Sequence, residues 1–255
     1  MSESENRITE DTGYEKLPDR GIIPQSERMK KFDNFWYYNK WKVIVIAFVL
    51  IVFLVCALQM CESNKIDSFV MYSGPYNMLD STAVNGMKAA FAAVLPYELN
   101  GDGYKEVQLI TTYVLSDEQI ESIRDVTDEQ GSQIYYPDVT FNKNELKQFD
   151  SLILAGDYSV CLLDPFLYER VKSSNGFVKL SDVFDSIPEG AIDEYGIRFS
   201  DTEFAKYYEV FSVLPSDTVL CLRTPSTFAG GSNANSKEYQ LSKDLFKAIV
   251  EFIPQ

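Results

Sequence analysis

The hydrophobic pattern opens on one uninterrupted apolar run, Val43 to Leu58 (VIVIAFVLIVFLVCAL), with Trp41 before it and Met60-Cys61 after it. Sixteen residues pass without a charged or strongly polar side chain, so no face of the helix is polar, as a soluble core helix would require. As a helix, Val43 to Cys61 covers roughly 28 Å, close to the thickness of a bilayer's hydrocarbon core. A lone chain crosses lipid only as a helix, because its backbone groups must be satisfied internally. The pattern predicts one membrane span at residues 43–61, with membrane lipid its partner along Val43 to Leu58.

The flanks predict the orientation. Arg28, Lys30, Lys31, Lys40 and Lys42 precede the run against Glu27 and Asp33; after it stand Lys65, Glu62 and Asp67. Basic residues stay on the cytoplasmic side, which places the N-terminus inside and the C-terminal part outside a cell membrane. About 40 residues precede the run and no small-x-small site follows it, so a retained anchor is expected rather than a cleaved signal peptide. Residues 1–28 are polar and aperiodic and read as a disordered cytoplasmic tail. Residues 29–42 (MKKFDNFWYYNKWK) are basic and aromatic together, the composition of a helix lying in the headgroup layer before it turns into the span.

Beyond the span, residues 62–255 alternate between two periods. Phe69–Tyr72, Val107–Val114, Tyr158–Leu163 and Asp217–Arg223 are short apolar or β-branched runs closed by turn residues, which predicts strands. Ser81–Val94, Asn142–Leu154, Phe166–Val171 and Ser236–Phe252 carry apolar residues at helical spacing. Ser116 and Gln119 stand at capping-box spacing, and Phe177–Phe184 is a further short element. The segment Phe228–Ser236, rich in Gly, Asn and Ser, reads as a mobile loop. Alternating strands and helices predict a layered α/β domain with mainly parallel strands, preceded by one transmembrane helix.

Charge narrows the partners. The chain carries 23 Lys and Arg against 38 Asp and Glu; residues 1–61 hold eight of each, leaving 15 basic and 30 acidic groups in residues 62–255. Such a domain is a poor partner for nucleic acid. Cys161 and Cys221 both sit in apolar strand-like runs, SVCLLD and TVLCLR, where a disulfide and two buried thiols are both open.

The turn Ser73-Gly74-Pro75-Tyr76 after the first strand, the phrase LILAGDYSVCLLDPFLYERV at Leu152–Val171 and the following FVKLSDVF resemble, in order and spacing, a small type 2 periplasmic solute-binding domain. The basic aromatic segment plus span is similar to the N-terminal arrangement of single-span proteins of Gram-positive bacteria. The resemblance covers most of residues 62–255 and implies a binding domain that performs no catalysis.

With no histidine in the chain, Ser-His-Asp and Cys-His catalysis and histidine-based zinc sites are excluded. Ser-x-x-Lys, the Walker loop and a dinucleotide glycine fingerprint are absent as well. Glu98, Asn100, Asp102 and Gly103 fall at the first, third, fifth and sixth positions of a calcium loop, but Leu109 stands at the twelfth, where a bidentate Glu is needed, so a plain turn is expected. No catalytic residue, metal or cofactor is expected.

In a parallel α/β sheet ligands sit beyond the carboxyl ends of the strands. Those ends supply the candidate ligand-binding residues Ser73, Gly74, Tyr76, Asn77, Asp164, Arg223, Thr224 and Ser226; Arg223 has the geometry to clamp a carboxylate or phosphate, but pairing with a neighbouring Asp or capping a helix is the more expected role. The expected function is capture or sensing of a small molecule or peptide. The alternative is a structural or adaptor subunit that docks on a second membrane protein and has no ligand, and a third option is a hydrolase built on paired acids.

Overall fold

The computed structural model describes residues 27–60, 66–127, 136–225 and 234–254. The expected tail, residue Cys61, Ser226 and most of the Phe228–Ser236 loop lie outside the described residues. The chain divides into two compact units, Met1–Glu62 and Ser63–Gln255.

In the first unit, helix α1 runs unbroken over Glu27–Met60, 34 residues. The expected turn between an interfacial helix and the span is absent, because nothing in MKKFDNFWYYNKWK, neither Gly nor Pro, interrupts the hydrogen-bond ladder. Within α1 one stretch, Asn34–Cys56, is long and apolar enough to cross a membrane. Its large side chains, Phe48, Leu50, Ile51, Phe53 and Leu54 among them, are exposed. An apolar exposed surface of this length is consistent with membrane anchoring.

The second unit is α/β. Its described strands are β1 (Ser68–Gly74), β2 (Val107–Tyr113), β3 (Val160–Leu163), β4 (Gly196–Arg198) and β5 (Val219–Leu222), in sheet order β2-β1-β3-β5-β4. β1 pairs in parallel with β2 and β3, whereas β5 is antiparallel to both β3 and β4. The sheet is therefore mixed and mostly parallel, and the segment Asp217–Arg223, expected to run with the others, is reversed. β4 was not apparent in the sequence, since three residues carry too short a pattern.

The helices are α2 (Ser81–Val94), α3 (Asp117–Arg124), α4 (Val139–Ala155), α5 (Pro165–Lys172), α6 (Glu203–Tyr207) and α7 (Lys237–Val250). Their starts follow local chemistry. Asp80, Asp138, Asp164, Thr202 and Ser236 each accept a first-turn N–H as N-caps, and Ser116 with Gln119 closes the expected capping box of α3. Helix α4 ends on Gly156 at φ 84°, a left-handed C-cap that favours glycine.

Both sheet faces are buried. On one, Val70, Tyr72, Leu162, Leu220 and Leu222 pack with Phe91 of α2 and Leu241, Leu245 and Phe246 of α7. On the other, Met71, Cys161, Leu163 and Cys221 pack with Phe149 of α4 and Leu167 and Val171 of α5. The alternation along β1 and β5 thus supplies two cores, as a three-layer sheet requires. Cys161 and Cys221 are directly opposite in the β3–β5 register, and both are buried free thiols.

Residues 98–104 form the expected turn, a run of side-chain-capped turns. Asn100 Oδ1 accepts from Asp102 N, Asp102 Oδ1 from Tyr104 N, and Glu98 Oε2 from Gly103 N. These carboxylate and amide oxygens satisfy the backbone of the turn into β2.

Candidate functional site

The strand order places the reversal of chain path between β1 and β3, and ligands in open α/β sheets bind beyond the carboxyl ends of such strands. Two bonds carry the ladder to that edge: Asp164 N donates to Ser73 O at 2.9 Å, and Val114 N to Gly74 O at 3.1 Å. Ser73, Gly74 and Asp164 are thereby brought together, with Tyr76 and Asn77 following in the turn after β1.

Each inner group already has a partner. Ser73 Oγ lies 2.6 Å from Thr112 Oγ1 on β2. The Tyr72 hydroxyl accepts from Tyr76 N at 3.1 Å, which pins the turn. At Gly74 an added Cβ would stand 3.0 Å from the Tyr72 hydroxyl oxygen and 3.3 Å from Asp164 Cβ, so glycine permits this close approach. Asp164 Oδ1 caps α5 through Phe166 N at 3.0 Å, and its Oδ2 accepts from Gln119 Nε2 at 2.9 Å. Gln119 Oε1 in turn accepts from Ser116 N, so the capping box of α3 and the cap of α5 share one side chain.

The site is acidic. Burial pushes the Asp164 carboxyl above its usual range; bonds from Gln119 and Phe166 N work against this, and the nearby Asp217 charge adds to it. Burial likewise raises the Tyr72 phenol, the bond from Tyr76 N opposes it, and Asp164 and Asp217 raise it further. Asp217 reaches this edge because β5 is reversed, so the residues preceding β5 arrive beside the carboxyl ends of β1 and β3. Tyr76 is half-buried, while Asn77 and Asp217 are exposed and form the accessible rim.

The same reversal separates the remaining candidates. Arg223 pairs with Ser159 at the amino end of β3, its N–H donating to Ser159 O at 2.8 Å. Five residue steps of extended chain, roughly 17 Å, separate that level from Asp164. Thr224 stands beside it, N and Oγ1 both donating to Gly176 O, at 2.9 and 3.1 Å. Neither residue shares the edge occupied by Ser73 and Asp164, so Arg223 is not placed to clamp a ligand in that crevice. Ser226 lies outside the described residues.

Sequence reasoning missed Gln119, Thr112 and Asp217 at this edge. Gln119 carried a signal, the capping box, that pointed only to its local role. Asp217 carried none, because strand direction is not written in a four-residue apolar run.

No family model, no curated protein and no solved structure matches the chain.

Proposed function

We propose that the protein is a membrane-anchored, extracytoplasmic binding domain without catalytic activity, a reduced type 2 solute-binding-like lobe that captures or senses a small molecule or peptide at the cell surface. The observation that supports this best is the switch-point edge between β1 and β3. There a prepared polar floor (Ser73, Thr112, Asp164, Gln119) underlies an accessible rim of Tyr76, Asn77 and Asp217. The negative charge of Asp217 at the rim, added to that of Asp164 below, favours a ligand that offers hydrogen-bond donors or positive charge. One lobe presents an open edge, which suits an extended ligand such as a peptide. Asp164 uses both oxygens inside the fold, as a cap and as Gln119's acceptor, so its raised carboxyl serves architecture rather than proton transfer.

The test is a thermal-shift screen of the full chain in detergent against amino acids, short peptides, sugars, nucleotides and calcium. A ligand at a hundredfold excess over its Kd stabilises the native state by about 2.7 kcal/mol. Asn77→Ala and Asp217→Ala are expected to abolish that response while leaving the unliganded Tm within about a degree or two, as exposed substitutions do. Silence across the panel refutes ligand capture.

One observation favours the adaptor reading: the inner polar groups are satisfied by one another, as they would be in a domain whose crevice no longer receives a ligand. Silence in the screen together with a membrane-protein partner recovered by cross-linking establishes that alternative.

Orientation is tested separately. With the N-terminus inside, protease added to intact protoplasts removes a C-terminal epitope and spares an N-terminal one. The opposite pattern reverses the topology.

A further inference from the structure

We propose that Arg223 anchors a second binding site, for a small oxyanion (carboxylate or phosphate), at the amino-terminal edge of β3, opposite the switch-point crevice.

The backbone of Arg223 is fixed on several sides. Its N–H donates to Ser159 O at 2.8 Å, its carbonyl accepts from the Tyr239 hydroxyl of α7 at 3.0 Å, and it forms a bridge with Phe177. Residues alternate along β5, so Arg223 follows Val219 and Cys221 onto the face covered by α4 and α5. There its charge acts on the Cys161 and Cys221 thiols, and it acts also on the Tyr239 phenol. The residue is 7% exposed.

A buried guanidinium in that position needs acceptors. Arginine, unlike lysine, does not relieve burial by giving up its charge. Yet Nε and Nη1, which together carry three N–H donors, are buried and have no hydrogen-bond partner. Among the described residues no carboxylate forms an ion pair with Arg223, although residues 62–255 hold 30 acids. Asp193, whose charge also acts on the Cys221 thiol, is engaged by Lys172 and Tyr168. The adjacent hydroxyl of Thr224 is spent on Gly176 O.

Buried charges are paired in folded proteins, and the planar donor fork of arginine matches the oxygens of a carboxylate or phosphate. The arrangement leaves the pairing to a ligand. Near-complete burial limits that ligand to a small group or to the oxyanion terminus of a larger one. Because the surrounding domain is strongly acidic, the anion is held by local pairing and not by long-range attraction.

The experiment uses the full chain in detergent at low ionic strength, with sodium chloride as the baseline. Sodium phosphate and sodium acetate are titrated at matched ionic strength while Tm is followed. A saturable rise with phosphate alone identifies a tetrahedral ligand, and a rise with acetate identifies a planar one. Arg223→Met is expected to weaken the response by at least about 30-fold, the loss typical of removing one partner of a buried charge pair. Arg223→Lys, which keeps the charge without the fork, falls between. No rise beyond the chloride baseline overturns the site, as does a rise that survives in Arg223→Met. Should Arg223→Met fail to fold, phenylglyoxal labelling of the wild-type chain decides. Labelling of Arg223, mapped by peptide mass, slows when the effective oxyanion is present, and labelling indifferent to both anions refutes the proposal.

Discussion

Replacing Phe204 with alanine lowers the unfolding free energy of the C-terminal unit by about 3–5 kcal/mol. Phe204 is fully buried on the short helix α6, and its ring centroid lies 5.6 Å from Phe91, 6.4 Å from Phe199, 5.0 Å from Tyr208, 5.2 Å from Phe211 and 5.5 Å from Phe252. Truncation therefore removes contacts with α2 and with the C-terminal segment at once, and five rings held by their own elements cannot all close on the void. Domains of this size are stable by about 5–15 kcal/mol, so the variant loses a large share of the total. The location gives this loss a functional meaning. Phe204 lies in the connection between β4 and β5 that turns the chain back, and that reversal brings Asp217 to the candidate site. Denaturant unfolding followed by far-UV circular dichroism measures the change, with Phe204→Leu expected to lose less. A loss below about 1 kcal/mol would show that the aromatic cluster does not hold this connection.

The second large effect belongs to Asp193. Its Oδ1 accepts from the Tyr168 hydroxyl at 2.6 Å, Tyr195 N at 2.8 Å and Gly196 N at 3.0 Å, and its Oδ2 pairs with Lys172 at 2.8 Å. Asp193→Ala leaves the hydroxyl of the buried Tyr168 without its acceptor and frees two backbone donors at the start of β4. The expected cost is about 2–4 kcal/mol at pH 7. The pH dependence has a defined sign. Burial alone would raise the Asp193 carboxyl, but the bonds from Lys172, Tyr168, Tyr195 N and Gly196 N outweigh it and hold the carboxyl below its usual range. A depressed carboxylate contributes stability above its unfolded value, about 3.9, and loses it as pH falls through the lower folded value. The gap between wild type and Asp193→Ala therefore narrows below about pH 4. Asp164 runs the other way: raised in the fold, it favours the native state when protonated, and that contribution is lost as pH rises from the unfolded value through the folded one. The wild-type profile mixes the two, so the difference curve is the informative one. A gap that stays constant between pH 7 and about pH 3 refutes the role assigned to the Asp193 carboxylate.

Local chemistry was legible in the chain wherever neighbouring residues carry it. The apolar run in α1 marks a helix fit to cross a membrane because sixteen side chains leave no polar face. Ser116 and Gln119 announce the start of α3 because both halves of a capping box lie within four residues. Ser73, Gly74 and Asp164 could be placed at one edge because parallel β1 and β3, each followed by a turn or a helix cap, end at the same level.

What the sequence by itself determined was a helix long and apolar enough to cross a membrane, most of the elements of the α/β unit and the inner residues of its switch-point edge. Each of these rests on periodicity or capping, which act over a few residues. The tertiary structure alone decided the direction of β5 and the pairing of β4. With them came the separation of Arg223 from Asp164, the arrival of Asp217 at the rim and the convergence of rings on Phe204. The physical reason is that a strand buried on both faces, VLCL here, presents the same apolar side chains whichever way it runs. Its direction is chosen by how residues 199–218 pack on their way back to the sheet.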